Sequence, residues 1–124
     1  MKEKILFVNS CVRGENESRT LALAKTALSR LDGDIEEIRL ADADLKPLDA
    51  AGLAKRAESA EKNDFSDPVY DCAKQFAACD TVVIAAPFWD YSFPAFLKIY
   101  IESLCVGGLT FLYGSDGVPI SYCR

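Results

Sequence analysis

The apolar positions along the chain change period several times, and each change marks an element. "KILFVN", residues 4–9, is a continuous apolar run between polar residues, the pattern of a strand buried on both faces of a parallel sheet. From Ser18 onward the apolar residues fall at Leu21, Ala24, Leu28 and Leu31, which is helical spacing. Ser18 is placed to cap that helix. Asp32-Gly33 is placed to end it, with the glycine in a left-handed cap. "DIEEIRL", residues 34–40, predicts a short second strand with imperfect alternation. Residues 41–67 are polar and interrupted by Pro47 and Gly52, and predict a long connection with a short exposed helix in "DAAGLAKRAESAEK". Pro68 suits the first position of a further helix, with Val69, Cys72, Ala73, Phe76 and Ala77 as its apolar face. "DTVVIAAP", residues 80–87, reads as a buried β-branched strand stopped by proline. Pro94 opens the helix "PAFLKIYIESLCVGG", ended by Gly107-Gly108, and "LTFLYGSDGVPISYCR" predicts two short extended pieces around the turn "GSDG".

The order β-α-β-(α)-α-β-α, followed by a small hairpin, predicts an α/β fold. Its sheet is open and parallel, with helices on both faces and right-handed crossovers. A length of 124 residues fits a single domain over residues 1–124. In such sheets ligands bind beyond the carboxyl ends of the strands. Two loops leave there, residues 10–17 and residues 87–93.

Composition then removes several function classes. A net charge of −5 argues against a nucleic-acid footprint and against an anionic membrane surface. No apolar run is long enough to span a bilayer. The apolar run at the N-terminus is too short for a signal peptide and reads as a first strand. A cytoplasmic protein is expected. The chain has no histidine, so a Cys–His or Ser–His catalytic pair is excluded and no zinc site is expected. Its cysteines are odd in number and lack a CxxC pair, which suits free thiols.

The first loop, "NSCVRGENESRT", lacks both the dinucleotide glycine pattern and the Walker A lysine. It is rich in hydroxyls and amides (Asn9, Ser10, Asn16, Ser18, Thr20) and runs into a helix N-terminus. Free N–H groups and the helix dipole favour an anion there, with Arg13 or Arg19 adding charge. Ordinary capping by Ser18 explains the same residues. The second loop, "PFWDYSF", offers Phe88, Trp89 and Tyr91 as a flat apolar wall, with the backbone amides of residues 89–91 to reach ring-edge atoms of a planar ligand. Core filling or a dimer contact explains those aromatics equally well.

Taken together, "VNSCVRGENESRTLALA", "AAPFWDYSFPAFLKIYIE" and "GGLTFLYGSDGVP" resemble the flavodoxin-like NAD(P)H-dependent reductases, and within them the FMN-dependent azoreductase and quinone-reductase family. The family pattern has a strand ending in serine, a loop closing with serine at a helix start, then "P-x-[WY]-[ND]-[FY]-x-x-P" and "G-x-T-F-x-Y". Pro87, Trp89, Asp90, Tyr91, Pro94, Lys98, Tyr100, Gly108, Thr110, Phe111 and Tyr113 fit it. The resemblance implies that Ser10, Asn16, Glu17 and Ser18 surround the FMN phosphate, and that Phe88, Trp89, Asp90 and Tyr91 line the isoalloxazine. Asn16 stands where the family often has serine, and Asp90 where asparagine is common. It implies no catalytic side chain and no metal.

The resemblance further implies FMN as cofactor, NADH or NADPH as donor, and ping-pong hydride transfer through the flavin to quinones, azo or nitro compounds. A homodimer, with no nucleic acid and no membrane, is implied as well. Two other readings remain at this level: a flavodoxin-type electron carrier, or a non-catalytic apo domain serving as an interaction module. Family members run to roughly two hundred residues as single domains and continue with a further strand, a glycine-rich flavin-contacting loop, more helix and a last strand. Residues 1–124 match the N-terminal portion of that fold, as a truncated form or with a second chain filling the gap.

Overall fold

The computed structural model describes residues 2–123. Its elements are β1 (Glu3–Asn9), α1 (Arg19–Leu28), β2 (Gly33–Arg39), α2 (Ala50–Lys62), α3 (Asp71–Ala78), β3 (Thr81–Ala85), α4 (Ala95–Leu104), β4 (Phe111–Tyr113) and β5 (Pro119–Ser121). They fall into two compact units. One comprises the residues up to Leu45 with Cys79–Lys98, the other Lys46–Ala78 with the residues from Ile99 onward.

The first unit is built on a parallel sheet of order β2-β1-β3. The central place of β1 explains its unbroken apolar run, since both its neighbours and both its faces are covered. Ile5 and Phe7 pack with Leu21, Ala24 and Leu28 of α1 and with Cys11 and Ala85. Ser18 caps α1 as the spacing predicts, its Oγ accepting from the Leu21 N–H at 3.1 Å.

Two expectations fail here for one reason, position in the sheet. β3 was expected to be buried, but among the described residues it has a strand on one side only, and its Ile84 is 48% exposed. Gly33 was expected to cap α1, but the helix ends at Leu28 with Ser29 in right-handed geometry, leaving Leu31 exposed. Gly33 instead opens β2 opposite Glu3. A Cβ there would lie 2.6 Å from the Glu3 carbonyl oxygen and 2.8 Å from Cδ1 of Ile5. The glycine is required by close approach of backbone, not by a left-handed turn. Gly33→Ala is expected to lower stability by about 1–3 kcal/mol, read as a lower urea midpoint at unchanged slope. No shift in midpoint would mean that β1 and β2 separate freely at that end.

In the second unit, α2 carries no buried residue. It is the exposed helix expected in residues 41–67, capped by the Asp49 carboxylate on the Gly52 N–H at 2.8 Å and ended by Asn63 at φ 49°. Arg56 on α2 donates to the carbonyls of Glu102 (2.9 Å) and Cys105 (3.1 Å), satisfying the C-terminal end of α4. Pro68 opens a single 3-10 turn before α3 rather than α3 itself. The tighter winding of that turn shifts the facing residues, so Tyr70 is buried with Ala73 and Val106, while Val69, expected on the apolar face, is 58% exposed. The Tyr70 hydroxyl donates to Oγ of Ser59 at 2.8 Å. α4 stops at Leu104, before the expected glycines, where Thr110 Oγ1 takes over the Leu104 carbonyl at 2.5 Å. β4 and β5 form the expected antiparallel hairpin.

Candidate functional site

Both candidate loops belong to the first unit and leave the same end of its sheet. They are tied at their roots. The Ser10 N–H and the Ser10 hydroxyl both donate to the Ala85 carbonyl, at 3.0 and 2.7 Å. Ser10 is completely buried, so its hydroxyl proton is committed to β3, and only its lone pairs and position serve a ligand.

Beyond Ser10 the chain makes a tight turn in which the Gly14 carbonyl accepts from the N–H groups of Glu17 (3.0 Å) and Ser18 (2.9 Å). Asn16 lies exposed on this turn, an amide able to donate outward. Glu17 is exposed too, but it brings no donor: its N–H is already given to Gly14, and its carboxylate only accepts. Ser18 is buried, and its Oγ accepts from Leu21, which leaves its O–H free to donate. The N–H groups opening α1 lack intrahelical acceptors, as at any helix start. Arg13 and Arg19 are exposed cations on the same stretch, with Glu15 as an opposing charge.

Asn9, named among the amides of this loop but not among the residues that the resemblance places around the phosphate, has the most telling environment. Its Oδ1 accepts from the Cys11 N–H at 3.0 Å, which fixes the amide's orientation. Its Nδ2 is buried without a hydrogen-bond partner. Buried amide donors are nearly always paired, so this one marks the root of the loop as a place that suits an acceptor. An orphaned amide, a free hydroxyl and a helix start form a donor set that fits an anion such as a phosphate. The signal in the sequence was an amide at the last position of an otherwise apolar strand.

The second loop is a two-residue hairpin. Trp89 and Ser92 exchange reciprocal backbone hydrogen bonds, both at 2.8 Å. Asp90 (φ 49°) and Tyr91 (φ 64°) form the turn between them. The Trp89 N–H, expected to face a ligand, is therefore used within the hairpin, and the turn amides of Asp90 and Tyr91 are the ones left to do so. The side chains do not fill core. Tyr91 is 94% exposed, Phe88 75%, and Trp89 and Phe93 41% each. The Phe88 and Tyr91 rings meet edge to face with centroids 6.2 Å apart.

Two oppositely charged groups of the second unit hold each other's titrations away from their ordinary values. Hydrogen bonding to Asp67 holds Lys55 above its ordinary value, and the same bond holds Asp67 below its own. Burial pushes the Cys72 thiol up, with Asp71 adding to it, which makes that thiol a poor nucleophile. All the cysteines are free. Among the described residues there is no cluster able to hold a metal ion and no helix long and apolar enough to cross a membrane.

A parallel α/β sheet with a donor-lined loop and an aromatic loop at its carboxyl end defines the class as a flavodoxin-like domain. The family model described as a flavodoxin-like fold matches residues 3–122, and the chain belongs to that family. It is 32% identical over 119 residues to an FMN-dependent NADH:quinone oxidoreductase of Clostridium perfringens (strain SM101 / Type A), a match covering 92% of this chain and 60% of the relative. It is 33% identical over 127 residues to FMN-dependent NADH:quinone oxidoreductase 2 of Clostridium acetobutylicum, covering 98% and 62%. The chain thus spans about 60% of the length of the curated relatives it matches. Among solved structures, an azoreductase from Bacillus anthracis str. Sterne superposes with a TM-score of 0.72 at 25% identity, covering 95% of this chain and 62% of that one. An FMN-dependent NADH-azoreductase from Bacillus anthracis str. Ames Ancestor, in complex with FMN, shares the fold with a TM-score of 0.75 at 21% identity, covering 96% and 62%.

Proposed function

We propose that residues 1–124 act as one flavodoxin-like domain of an FMN-dependent NAD(P)H oxidoreductase that reduces quinones, azo or nitro compounds by ping-pong transfer. The observation that carries this is the pairing of an exposed aromatic loop with a donor-lined loop on one sheet end, their roots joined through Ser10 and Ala85. The names of the relatives, quinone oxidoreductases and azoreductases, support the reaction class. A cytoplasmic homodimer is part of the same reading.

In this reading Asn9, Asn16 and Ser18 donate to the phosphate of FMN, with Ser10 holding the loop root in place. Phe88, Trp89 and Tyr91 cover the ring with apolar surface, and the backbone amides of Asp90 and Tyr91 face its polar edge. Bound FMN supplies two-electron transfer between a nicotinamide and an acceptor. The chain's own residues bind, orient and keep water from the ring. No side-chain acid or base is called for, in keeping with a chain that has no histidine.

Trp89 is the chain's single tryptophan, so its fluorescence reports on the aromatic loop directly. Added FMN is expected to quench it saturably, and the loaded protein to oxidise NADH when a small quinone is present. FMN binding without NADH oxidation would favour an electron carrier. Absence of FMN binding would end the flavin reading.

A further inference from the structure

The two outer strands of the first unit's sheet, β2 and β3, differ in chemistry. β2 carries Asp34, Glu36, Glu37 and Arg39 along its length. Charges of this kind keep an outer strand from pairing with another chain. β3 carries no charge, proline or glycine, and every position before Ala85 is β-branched. It pairs with β1 residue for residue over its whole length, without a bulge. Its other side has no strand among the described residues. An edge of this kind is a template for a further strand.

The direction of the backbone groups fixes how such a strand can pair. The Ala85 carbonyl is turned toward β1, where it receives the Ser10 N–H at 3.0 Å. In a parallel ladder alternate residues face the same neighbour. Thr81 and Val83 therefore face β1 as Ala85 does, and Val82 and Ile84 direct their N–H and C=O groups at the open side. The side chains divide in the same way. Val83 packs against the core cluster that contains Ala85, whereas Ile84, on the opposite face with Val82, is half exposed.

We propose that the open edge of β3 seats a second copy of this chain, joined antiparallel about a two-fold axis through Val83. In that register Val82 stands opposite Ile84 of the partner subunit, and Ile84 opposite Val82 of the partner subunit. These are the residues whose backbone groups face outward, so each pair exchanges both of its N–H···O bonds. An axis through Val82 or Ile84 would instead set one of them against Asp80 or Ala86, outside β3. The side chains form cross-strand β-branched pairs that cover Ile84, and no charge meets a like charge within the strand. The contact is isologous and closes on itself. The joined sheet ends on both sides in β2, whose charges stop further addition. The proposal rests on the homodimer part of the reading above and supplies its surface; it does not depend on FMN.

The test is the mass of the parent chain by light scattering over a dilution series, with residue-resolved hydrogen exchange. A dimer is expected, and the Val82 and Ile84 amides should exchange about 10-fold faster or more once dilution separates it. Ile84→Lys sets two ammonium groups on diagonal positions about 7–8 Å apart and should weaken the dimer about 10-fold or more. Leu23→Lys, at a more exposed apolar residue of α1, should leave it within about twofold. If Ile84→Lys does not fold, exchange in the parent chain decides the matter. A parent chain that is monomeric throughout overturns the homodimer and this proposal with it. A dimer that survives Ile84→Lys, equal weakening by Leu23→Lys, or exchange at Val82 and Ile84 that ignores dilution overturns the proposal and leaves the homodimer standing. Assemblies larger than a dimer overturn closure at β2.

Discussion

Ser18→Asp is expected to weaken FMN binding by about 100-fold or more while leaving the melting temperature at or above that of the parent. Aspartate caps a helix as well as serine does, so the bond to the Leu21 N–H is retained. A carboxylate at the positive end of α1 adds a further ~0.3–1 kcal/mol of stability. The same carboxylate would stand within a few ångströms of the proposed phosphate. Like charges about 5 Å apart at an effective dielectric near 20 repel by ~3 kcal/mol, which is about 100-fold in affinity. Riboflavin provides the control, because it has the ring without the phosphate and should bind Ser18→Asp as it binds the parent. If FMN binding survives the substitution, the phosphate does not sit at the start of α1.

Phe7→Ala carries the largest stability effect expected in the first unit, a loss of about 3–5 kcal/mol measured by urea denaturation. The ring is fully buried among Ile5, Leu21, Ala24 and Leu28, and Lys25 Nζ lies over it at 5.2 Å from the centroid. Lys25 also bonds Glu37 of β2 at 2.9 Å, so the truncation removes the ring against which that pair rests. The change is large against a typical domain stability of about 5–15 kcal/mol. Because β1 ends at Asn9 and runs directly into Ser10, a looser strand also loosens the first loop. A loss below about 1 kcal/mol would show that the cavity closes by collapse of α1 onto the sheet.

How much was legible in the sequence follows from how local each determinant is. β1 could be read because a strand covered on both sides is apolar at every position, and α1 because its cap and its apolar stripe lie within one segment. The β-branched run of residues 81–85 was just as apolar, but whether such a strand is central or at an edge depends on strand order, which no local pattern states. Gly33 looked like a cap because it follows a helix; the close approach of Glu3 that requires it comes from thirty residues upstream. Val69 and Tyr70 exchanged roles because a 3-10 turn does not follow the helical period. At the site, the aromatic loop was conspicuous from composition alone. The turn within it was hidden, since tyrosine is among the last residues that turn chemistry would place at positive φ. The amide of Asn9 was visible, but its missing partner was not, because satisfaction of a buried donor is a property of the assembled fold.

The interleaving of the two units bears on how the chain is made. Each is assembled from two separate stretches of sequence, so no single cut releases either one whole. β1 emerges well before its partner β3, and the Ala85 carbonyl that receives Ser10 lies 75 residues after it. Until Lys98 has left the ribosome the first unit is incomplete, and β1, whose Ile5, Leu6, Phe7 and Val8 end up fully buried, has only β2 beside it. Pairings of such long sequence separation form late, and exposed strands in the interval invite association with other chains. The nascent protein therefore passes through a window in which the edge of β1 that will receive β3 stands open to other chains.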